Sequence, residues 1–130
     1  YNRLLNQIRC FVSADIGFGE YMIKNFEAMA AGCLLVAWRQ PEQEQAALGF
    51  VEGENVVLYD SEQELEKKLA WLASDSPAAE RIARAGQAVV TKQHRWVDRA
   101  AVLPELLSAE IQRTPPITWR DRLKILGAGK

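Results

Sequence analysis

The stretch FVSADIGFGEYMIKNFEAMAAGCLLVAW, residues 11–38, decides the fold of this chain. Residues 11–14 are short, apolar and β-prone, and after a glycine loop the apolar residues recur at helical spacing. A helix is therefore predicted over residues 20–31, with Gly32 as its C-terminal cap. The continuous apolar run from Leu34 to Trp38 is typical of a parallel strand covered on both faces. Together these segments predict one strand–helix–strand unit.

The following residues continue the same alternation. Residues 56–59 predict a third strand, and Ser61 with Glu64 predicts a capping box at the start of the next helix. Two further helices are predicted, one from Ser76 and one over residues 96–113. Because no hairpin signal interrupts the pattern, we expect an α/β fold with a Rossmann-like open parallel sheet and C-terminal helices. Three strands are few for such a sheet, so we expect it to be partial.

Composition excludes several classes of protein. The 130 residues include 16 basic and 17 acidic side chains, and 48% are hydrophobic, which is typical of a folded globular chain. This near-neutral charge does not suit a nucleic-acid-binding module, and no apolar run is long enough to cross a bilayer. No signal peptide is visible, so we expect a cytoplasmic protein with Cys10 and Cys33 as buried, reduced thiols. No spacing of ligands suggests a metal site.

Two domains are predicted. Residues 1–112 form the Rossmann-like domain, and residues 113–130 form a tail with five basic residues and one acidic residue. Trp119, Leu123 and Leu126 fall on one helical face of this tail. We expect that face to pack against a preceding domain. The alternative is contact with the anionic inner surface of a membrane, but one short basic helix binds such a surface only weakly.

The loop between the first strand and the first helix is the expected place for chemistry. In parallel α/β sheets, ligands bind beyond the carboxyl ends of the strands, and Gly17-Phe18-Gly19 follows such an end. The glycines let the backbone approach a ligand, and the helix start offers free N–H groups to a phosphate. Met22 stands where a dinucleotide-binding fingerprint needs glycine, so the glycines alone favour a plain strand-to-helix turn.

The predicted helix places Glu20, Lys24 and Glu27 on one face. The simplest interpretation is a solvated stripe of ion pairs. Glu27, however, precedes the small, apolar run of residues 28–36, so we expect its carboxylate to be withdrawn from open solvent. A carboxylate in that position accepts two hydrogen bonds at once, which are the bonds that a sugar diol donates.

Three segments carry a resemblance to a known family. FEAMAAGCLLV, residues 26–36, resembles the donor-site helix and following strand of GT-B glycosyltransferases of the "glycosyl transferases group 1" type, closest to the spore-maturation-protein-like branch. GFVEGENVVLY, residues 49–59, resembles that family's segment of glycine, acid, asparagine and strand, and residues 85–90 with residues 94–96 resemble its closing helices. The resemblance covers residues 10–104 and implies the C-terminal, donor-binding part of a two-domain enzyme.

The resemblance also implies roles for single residues. Glu27 matches the glutamate that holds the ribose hydroxyls of a nucleotide, the Gly17–Glu20 loop matches the segment facing the diphosphate, and Arg39 with Gln40 would line the rim of the cleft. The implied donor is a nucleotide-diphosphate sugar, with no metal or other cofactor, because a helix dipole and basic side chains stabilise the leaving diphosphate. The implied partner is an N-terminal GT-B domain.

Two departures from the family pattern affect these roles. The family has two glutamates eight positions apart, but Gly19 stands eight before Glu27. The catalytic candidate that contacts the transferred sugar is therefore Glu20, with Asp15 as another. The family's Arg/Lys pair that neutralises the diphosphate lies upstream. Within this chain, Lys24 could take the place of that pair in neutralising the diphosphate. The simpler interpretation of Lys24 is that it forms ion pairs with Glu20 and Glu27.

Other polar and aromatic residues have less specific interpretations. We expect His94, the sole histidine, to serve as a cap or on the surface, because no nucleophile or acid is spaced to make it a base. Trp38 is expected to pack in the core, although it is the last residue of a predicted strand and so lies at the end where ligands bind. Residues 42–45 form a loop or a helix start, and Glu42 and Glu44 stay candidates because this region approaches the donor in the related enzymes.

Two functions remain open. The first is the donor-binding part of a glycosyltransferase that transfers sugar to a glycan, lipid or protein acceptor and is inactive alone. The alternative is a non-catalytic α/β interaction module derived from the same fold, which the displaced acid before Glu27 favours. A receiver-like signalling domain is disfavoured, because no acidic cluster with a paired lysine occurs at the strand ends.

Overall fold

The computed structural model of the chain describes residues 1–15 and 17–108. It divides the chain into two units, Tyr1–Arg99 and the residues from Ala100 onward. The predicted domain boundary after residue 112, the basic tail and the end of the predicted last helix lie outside the described residues. Within the described part, no helix is long and apolar enough to cross a membrane.

Strands and helices alternate along the first unit, and the last helix continues into the second. In chain order the elements are α1 (Asn2–Leu5), β1 (Cys10–Ser13), α2 (Ile23–Ala30), β2 (Leu34–Trp38), α3 (Glu42–Leu48), β3 (Val57–Tyr59), α4 (Glu62–Ser74), α5 (Ser76–Gln93) and α6 (Trp96–Ser108). This order confirms the predicted α/β class.

The three strands form one parallel sheet in the order β1-β2-β3. Cys10 pairs with Leu34 at the start of β1, and Val36 pairs with Val57 between β2 and β3. The central strand β2 is buried along Leu34–Ala37, which is the reason for its continuous apolar run. The predicted Rossmann-like open parallel sheet is confirmed.

Each face of the sheet carries its own core. Side chains alternate along a strand, so Leu35 and Leu58 face one core while Val36 and Val57 face the other. The first core contains Met29 of α2, Leu48 of α3 and Val90 of α5, and the second contains Leu72 of α4 and Ile82 of α5. The helices therefore cover both faces, as the sequence predicts.

The first helix after β1 begins later than predicted. Residues 20–22 precede α2, whose N-cap is Met22. Gly19 has a φ of +69°, and the ring of Tyr21 packs edge-on against Phe50 with centroids 5.0 Å apart. The buried ring of Tyr21 holds the backbone of residues 20–22 outside the helix. Glu20 therefore does not lie on α2. The prediction of one helical face shared by Glu20, Lys24 and Glu27 is therefore wrong.

Other boundaries lie close to their predicted places. Of the two interpretations of residues 42–45, the helix start is confirmed by α3, which ends at Gly49 with a φ of +68°. The Ser61 hydroxyl accepts a hydrogen bond from the Glu64 N–H at 3.2 Å, as a capping residue should. The Glu64 carboxylate, however, accepts from the Asp60 N–H at 2.8 Å, so the reciprocal bond of the capping box is made one residue earlier.

Candidate functional site

The loops that follow β1 and β2 meet at the carboxyl edge of the sheet. Gln40, which is almost fully buried, donates a hydrogen bond from its Nε2 to Oδ1 of Asp15 at 3.2 Å. Gly17 and Gly19 both have positive φ values, and a Cβ on Gly19 would lie 3.6 Å from Pro41. The side chain of Phe18 is exposed. The predicted Gly17-Phe18-Gly19 loop therefore lies at the edge where α/β sheets bind ligands.

Arg39 lies at the same edge, but its charge is already paired. Its Nε is 2.8 Å from Asp60 Oδ2, and its Nη2 is 3.4 Å from Glu52 Oε2. The hydrogen bond to Asp60 raises the pKa of the guanidinium above its ordinary value. With two carboxylates beside it, Arg39 does not have its charge left free for an anion.

Lys68 extends this group of charges onto α4. Its Nζ lies 3.0 Å from Glu52 and 2.9 Å from Glu64, and it also donates to the Leu58 carbonyl. Oε2 of Glu52 in turn accepts from the Leu58 N–H at 2.8 Å. The bond from Lys68 holds the pKa of Glu64 below its ordinary value. These contacts fasten the segment before β3 to α4, so the network is structural.

The carboxylate of Glu27 lies on the outer face of α2. Ala28 and Met29, the next two residues, lie on the side of the helix that faces the interior and are fully buried. Glu27 lies on the other side and is exposed to solvent. The expectation that Glu27 is withdrawn from solvent is therefore wrong, because the helix turns its small apolar residues, not Glu27, towards the sheet. Glu27 Oε2 accepts a hydrogen bond from the Tyr1 hydroxyl at 2.7 Å, and this bond raises the pKa of that phenol.

Glu27 nevertheless lines a cavity of about 430 Å³ between α2, the end of α5 and the first turn of α6. We call it the Glu27 cavity. Its residues are Ile23, Phe26, Glu27, Ala30, Val90, Thr91, His94, Arg95, Trp96 and Arg99. Phe26 and Val90 supply apolar surface, and Trp96 is 80% exposed. The cavity thus combines a carboxylate and two guanidinium groups with apolar and aromatic surface.

The two arginines of the Glu27 cavity differ in their partners. Arg95 holds Asp98 through two hydrogen bonds of 2.9 and 2.8 Å, which lower the pKa of that carboxyl. Arg99 forms no ion pair among residues 1–15 and 17–108. Its Nη2 lies 2.6 Å from Nδ1 of His94. Asp98 therefore pairs directly with Arg95 and acts on Arg99 only at longer range.

His94 is the C-cap of α5, which confirms its predicted capping role. Its backbone N–H donates to the Val90 carbonyl, and its Nε2 lies 2.9 Å from the Leu48 carbonyl oxygen. Because guanidinium groups only donate and carbonyls only accept, Nδ1 accepts from Arg99 and Nε2 carries the proton. The ring also packs edge-on against Phe26 at 5.4 Å. These contacts hold the imidazole in one orientation.

The remaining candidates are dispersed. Glu20 is exposed ahead of α2, and Lys24 is exposed and forms no ion pair within the described ranges, so its predicted pairing with Glu20 and Glu27 is wrong. Glu42 is exposed on α3, and Glu44 is partly buried there. Trp38 packs edge-on against Tyr59 at 5.5 Å, as a core residue does.

Sequence reasoning missed three residues that line the Glu27 cavity and belong to the segment after α5: Arg95, Trp96 and Arg99. The sequence signal for them is HRWVDR, residues 94–99, in which two arginines flank a tryptophan directly after the end of a predicted helix.

No group of three or more potential metal ligands lies close together in the part of the chain that is described.

Comparison with known proteins adds to this geometry. Residues 1–105 match the model of a family described as glycosyl transferase-like. Among solved structures, the chain is similar to the C-terminal domain of a glycosyl transferase group 1 family protein (LpcC) from Francisella tularensis, with 28% sequence identity and a TM-score of 0.52. The similarity covers 65% of this chain and 44% of that one, so the chain spans less than half of the solved domain. No curated protein matches the chain.

Proposed function

The chain belongs to the glycosyl transferase-like family, and we propose that it contributes the donor-binding part of a glycosyltransferase. The family match and the similar solved domain confirm the resemblance to the C-terminal part of group 1 enzymes. The proposed donor is a nucleotide-diphosphate sugar. The proposed acceptor is a glycan, lipid or protein that is bound by a further N-terminal domain, so this chain alone is expected to transfer no sugar. We place the reaction in the cytoplasm.

The Glu27 cavity carries this proposal. Its volume of about 430 Å³ lies within the range of pockets that hold small ligands, roughly 300–1,000 Å³. The carboxylate of Glu27 offers acceptors for two neighbouring ribose hydroxyls, and the apolar surface of Phe26 and Val90 suits a nucleobase. Tyr1 already holds one oxygen of that carboxylate, which reduces the freedom the side chain loses when a ligand binds.

The loop before α2 is proposed to face the diphosphate. The positive φ values of Gly17 and Gly19 bring bare backbone to the edge of the sheet, and the first turn of α2 presents N–H groups with a positive dipole end. Exposed Lys24 adds a positive charge to that turn. Glu20, exposed beside the loop, is proposed to contact the transferred sugar, and Arg39 to line the rim. No metal or other cofactor takes part in this proposal.

A second candidate function rests on one observation. Glu20 lies before α2 and not on it, so no acid stands on this helix in the place of the family's first glutamate. A chain that kept the fold and lost turnover would be a non-catalytic interaction module. Such a module would bind no nucleotide.

Calorimetric titration of the full chain with UDP, GDP, ADP and their sugars separates the two functions. We expect one nucleotide to bind, and Glu27→Gln to weaken its binding about tenfold or more, because hydrogen bonds to a charged group contribute about 1.5–3 kcal/mol. Glu66→Gln, which changes an exposed acid on α4, is the matched control and should leave binding unchanged. Binding of no nucleotide by the full chain would favour the interaction module.

A further inference from the structure

We propose that Arg99, held in place by His94, is the residue that binds a phosphate group of the ligand in the Glu27 cavity. This inference rests on the proposed function and extends it. The loop before α2 and the upstream basic pair of related enzymes do not include this residue. The proposal concerns a guanidinium that reaches the cavity from the other side, from the first turn of α6.

The first argument is charge. Arg95 and Arg99 line the same cavity, but only Arg95 has a carboxylate, that of Asp98. Arg99 gives one N–H to a neutral imidazole nitrogen and forms no ion pair within the described ranges; the carboxylate of Asp98, which Arg95 holds, acts on Arg99 only at longer range. A guanidinium carries five N–H donors, so four of them remain for a ligand. Arg99 is therefore the cation of this cavity that an anion meets.

The second argument is orientation. A free arginine on a surface loses rotamer freedom when it binds, which costs affinity. His94 removes part of that cost, because its ring accepts from Arg99 at 2.6 Å while its other nitrogen is anchored to the Leu48 carbonyl at 2.9 Å. Phe26, which lies in the wall of the same cavity, supports the ring. The guanidinium is thus positioned before the ligand arrives.

The third argument is complementarity. The cavity brings together three kinds of side chain. The carboxylate of Glu27 accepts hydrogen bonds from hydroxyl groups, and the exposed Trp96 offers an aromatic face for stacking. The guanidinium of Arg99 can bind an oxyanion through two parallel hydrogen bonds. A nucleoside 5′-phosphate carries all three matching groups, namely sugar hydroxyls, a planar base and an anion. A neutral sugar would leave Arg99 unused, and an acidic peptide would leave the carboxylate of Glu27 facing like charge.

The test compares nucleosides with their diphosphates. The full chain is titrated calorimetrically with uridine, guanosine and adenosine and with UDP, GDP and ADP. For the base that binds, Arg99→Gln should weaken the diphosphate about tenfold or more and leave the nucleoside unchanged, because only the phosphate contact is lost. Arg84→Gln is the control: it removes one positive charge from an exposed arginine of α5 that lies outside the cavity and pairs with Glu80, and it should change neither affinity by more than about twofold.

His94 is tested as a positioning residue. His94→Phe keeps an aromatic ring against Phe26 and removes the acceptor for Arg99. It should weaken the diphosphate by a smaller factor than Arg99→Gln and spare the nucleoside, a split that a general loss of structure would not produce. Arg99→Lys keeps the charge without the planar fork and should fall between the wild type and Arg99→Gln. Thermal unfolding of each variant confirms that it is folded.

Each outcome decides between the two proposals. If diphosphate binding depends on Glu27 but is unaffected by Arg99→Gln, the role of Arg99 is overturned and the proposed function stands. The same holds if Arg84→Gln weakens the diphosphate as much as Arg99→Gln does. Loss of nucleoside and diphosphate binding by the same factor in Arg99→Gln also overturns it, because the residue would then act without the phosphate. Failure of every nucleoside and nucleotide to bind overturns both proposals, and binding of acidic peptides alone would identify a protein-binding surface.

Discussion

Replacing Gly86 with alanine tests how α5 is held against the rest of the molecule. Gly86 is buried in the middle of α5, and a Cβ there would lie 2.5 Å from the Asn55 carbonyl oxygen and 2.9 Å from the end of Met29. The methionine end can move. The Asn55 backbone cannot move as easily, because the side chain of that residue is hydrogen-bonded to the Val51 N–H and to the Gly49 carbonyl, both at 2.9 Å.

Two opposing effects set the magnitude. Alanine is the better helix former by about 1 kcal/mol, which favours the variant. Forcing a methyl group into a packed interior costs about 1–3 kcal/mol and more where backbone must shift. Because the contact at 2.5 Å is to backbone, we expect the steric cost to exceed the helix gain and the free energy of unfolding to fall by about 1–2 kcal/mol.

Urea denaturation followed by circular dichroism measures this change. Ala88→Gly, at an exposed position of the same helix, is the control and should cost about 1 kcal/mol from helix propensity alone. The two substitutions are opposite in chemistry and should nevertheless both destabilise. A Gly86→Ala variant as stable as the wild type, or more stable, would refute the close approach of α5. Since His94 caps α5, we also expect weaker nucleotide binding in Gly86→Ala.

Two further predictions concern buried polar groups. Burial raises the pKa of Tyr21 from 10.0 to about 12, although the nearby backbone of Gln40 offsets part of this effect, and the hydroxyl makes no hydrogen bond of good geometry among the described residues. The folded state therefore keeps a proton that the unfolded chain releases near pH 10, so stability should fall as the pH rises from about 10 to 12. Tyr21→Phe should abolish that fall at little cost at pH 7, and an unchanged alkaline slope in denaturation experiments would contradict this. Asn55→Ala leaves the Val51 N–H and the Gly49 carbonyl without their partner and should cost about 2 kcal/mol by urea denaturation, whereas a loss below about 0.5 kcal/mol would show that water replaces the amide.

The elements that sequence reasoning placed correctly are those whose signal is local. β2 runs from Leu34 to Trp38 as predicted, because an unbroken apolar run between a cap glycine and a polar turn suits a buried strand. Ser61 caps α4, since a hydroxyl at that position satisfies a free amide whatever the rest of the fold does. The parallel order of the sheet also followed from the alternation of strands and helices.

The errors arose where a distant contact decided the outcome. The start of α2 was predicted three residues early, because the ring of Tyr21 is fixed by Phe50, which is far away in the sequence. The exposure of Glu27 depends on which side of α2 meets the sheet. The unpaired charge of Arg99 was not evident either, since its contact with His94 and the engagement of Arg95 by Asp98 are matters of side-chain geometry.

The sequence by itself therefore determined the class of fold, the parallel direction of the strands and the family to which the chain belongs, because periodicity, caps and short motifs are properties of neighbouring residues. Only the tertiary structure decided which charges remain available for a ligand. Arg39 is neutralised by Asp60 and Glu52, while Glu27 and Arg99 line one cavity. The physical reason is that whether a charge is already paired depends on distances of a few ångströms between segments that are far apart in the chain.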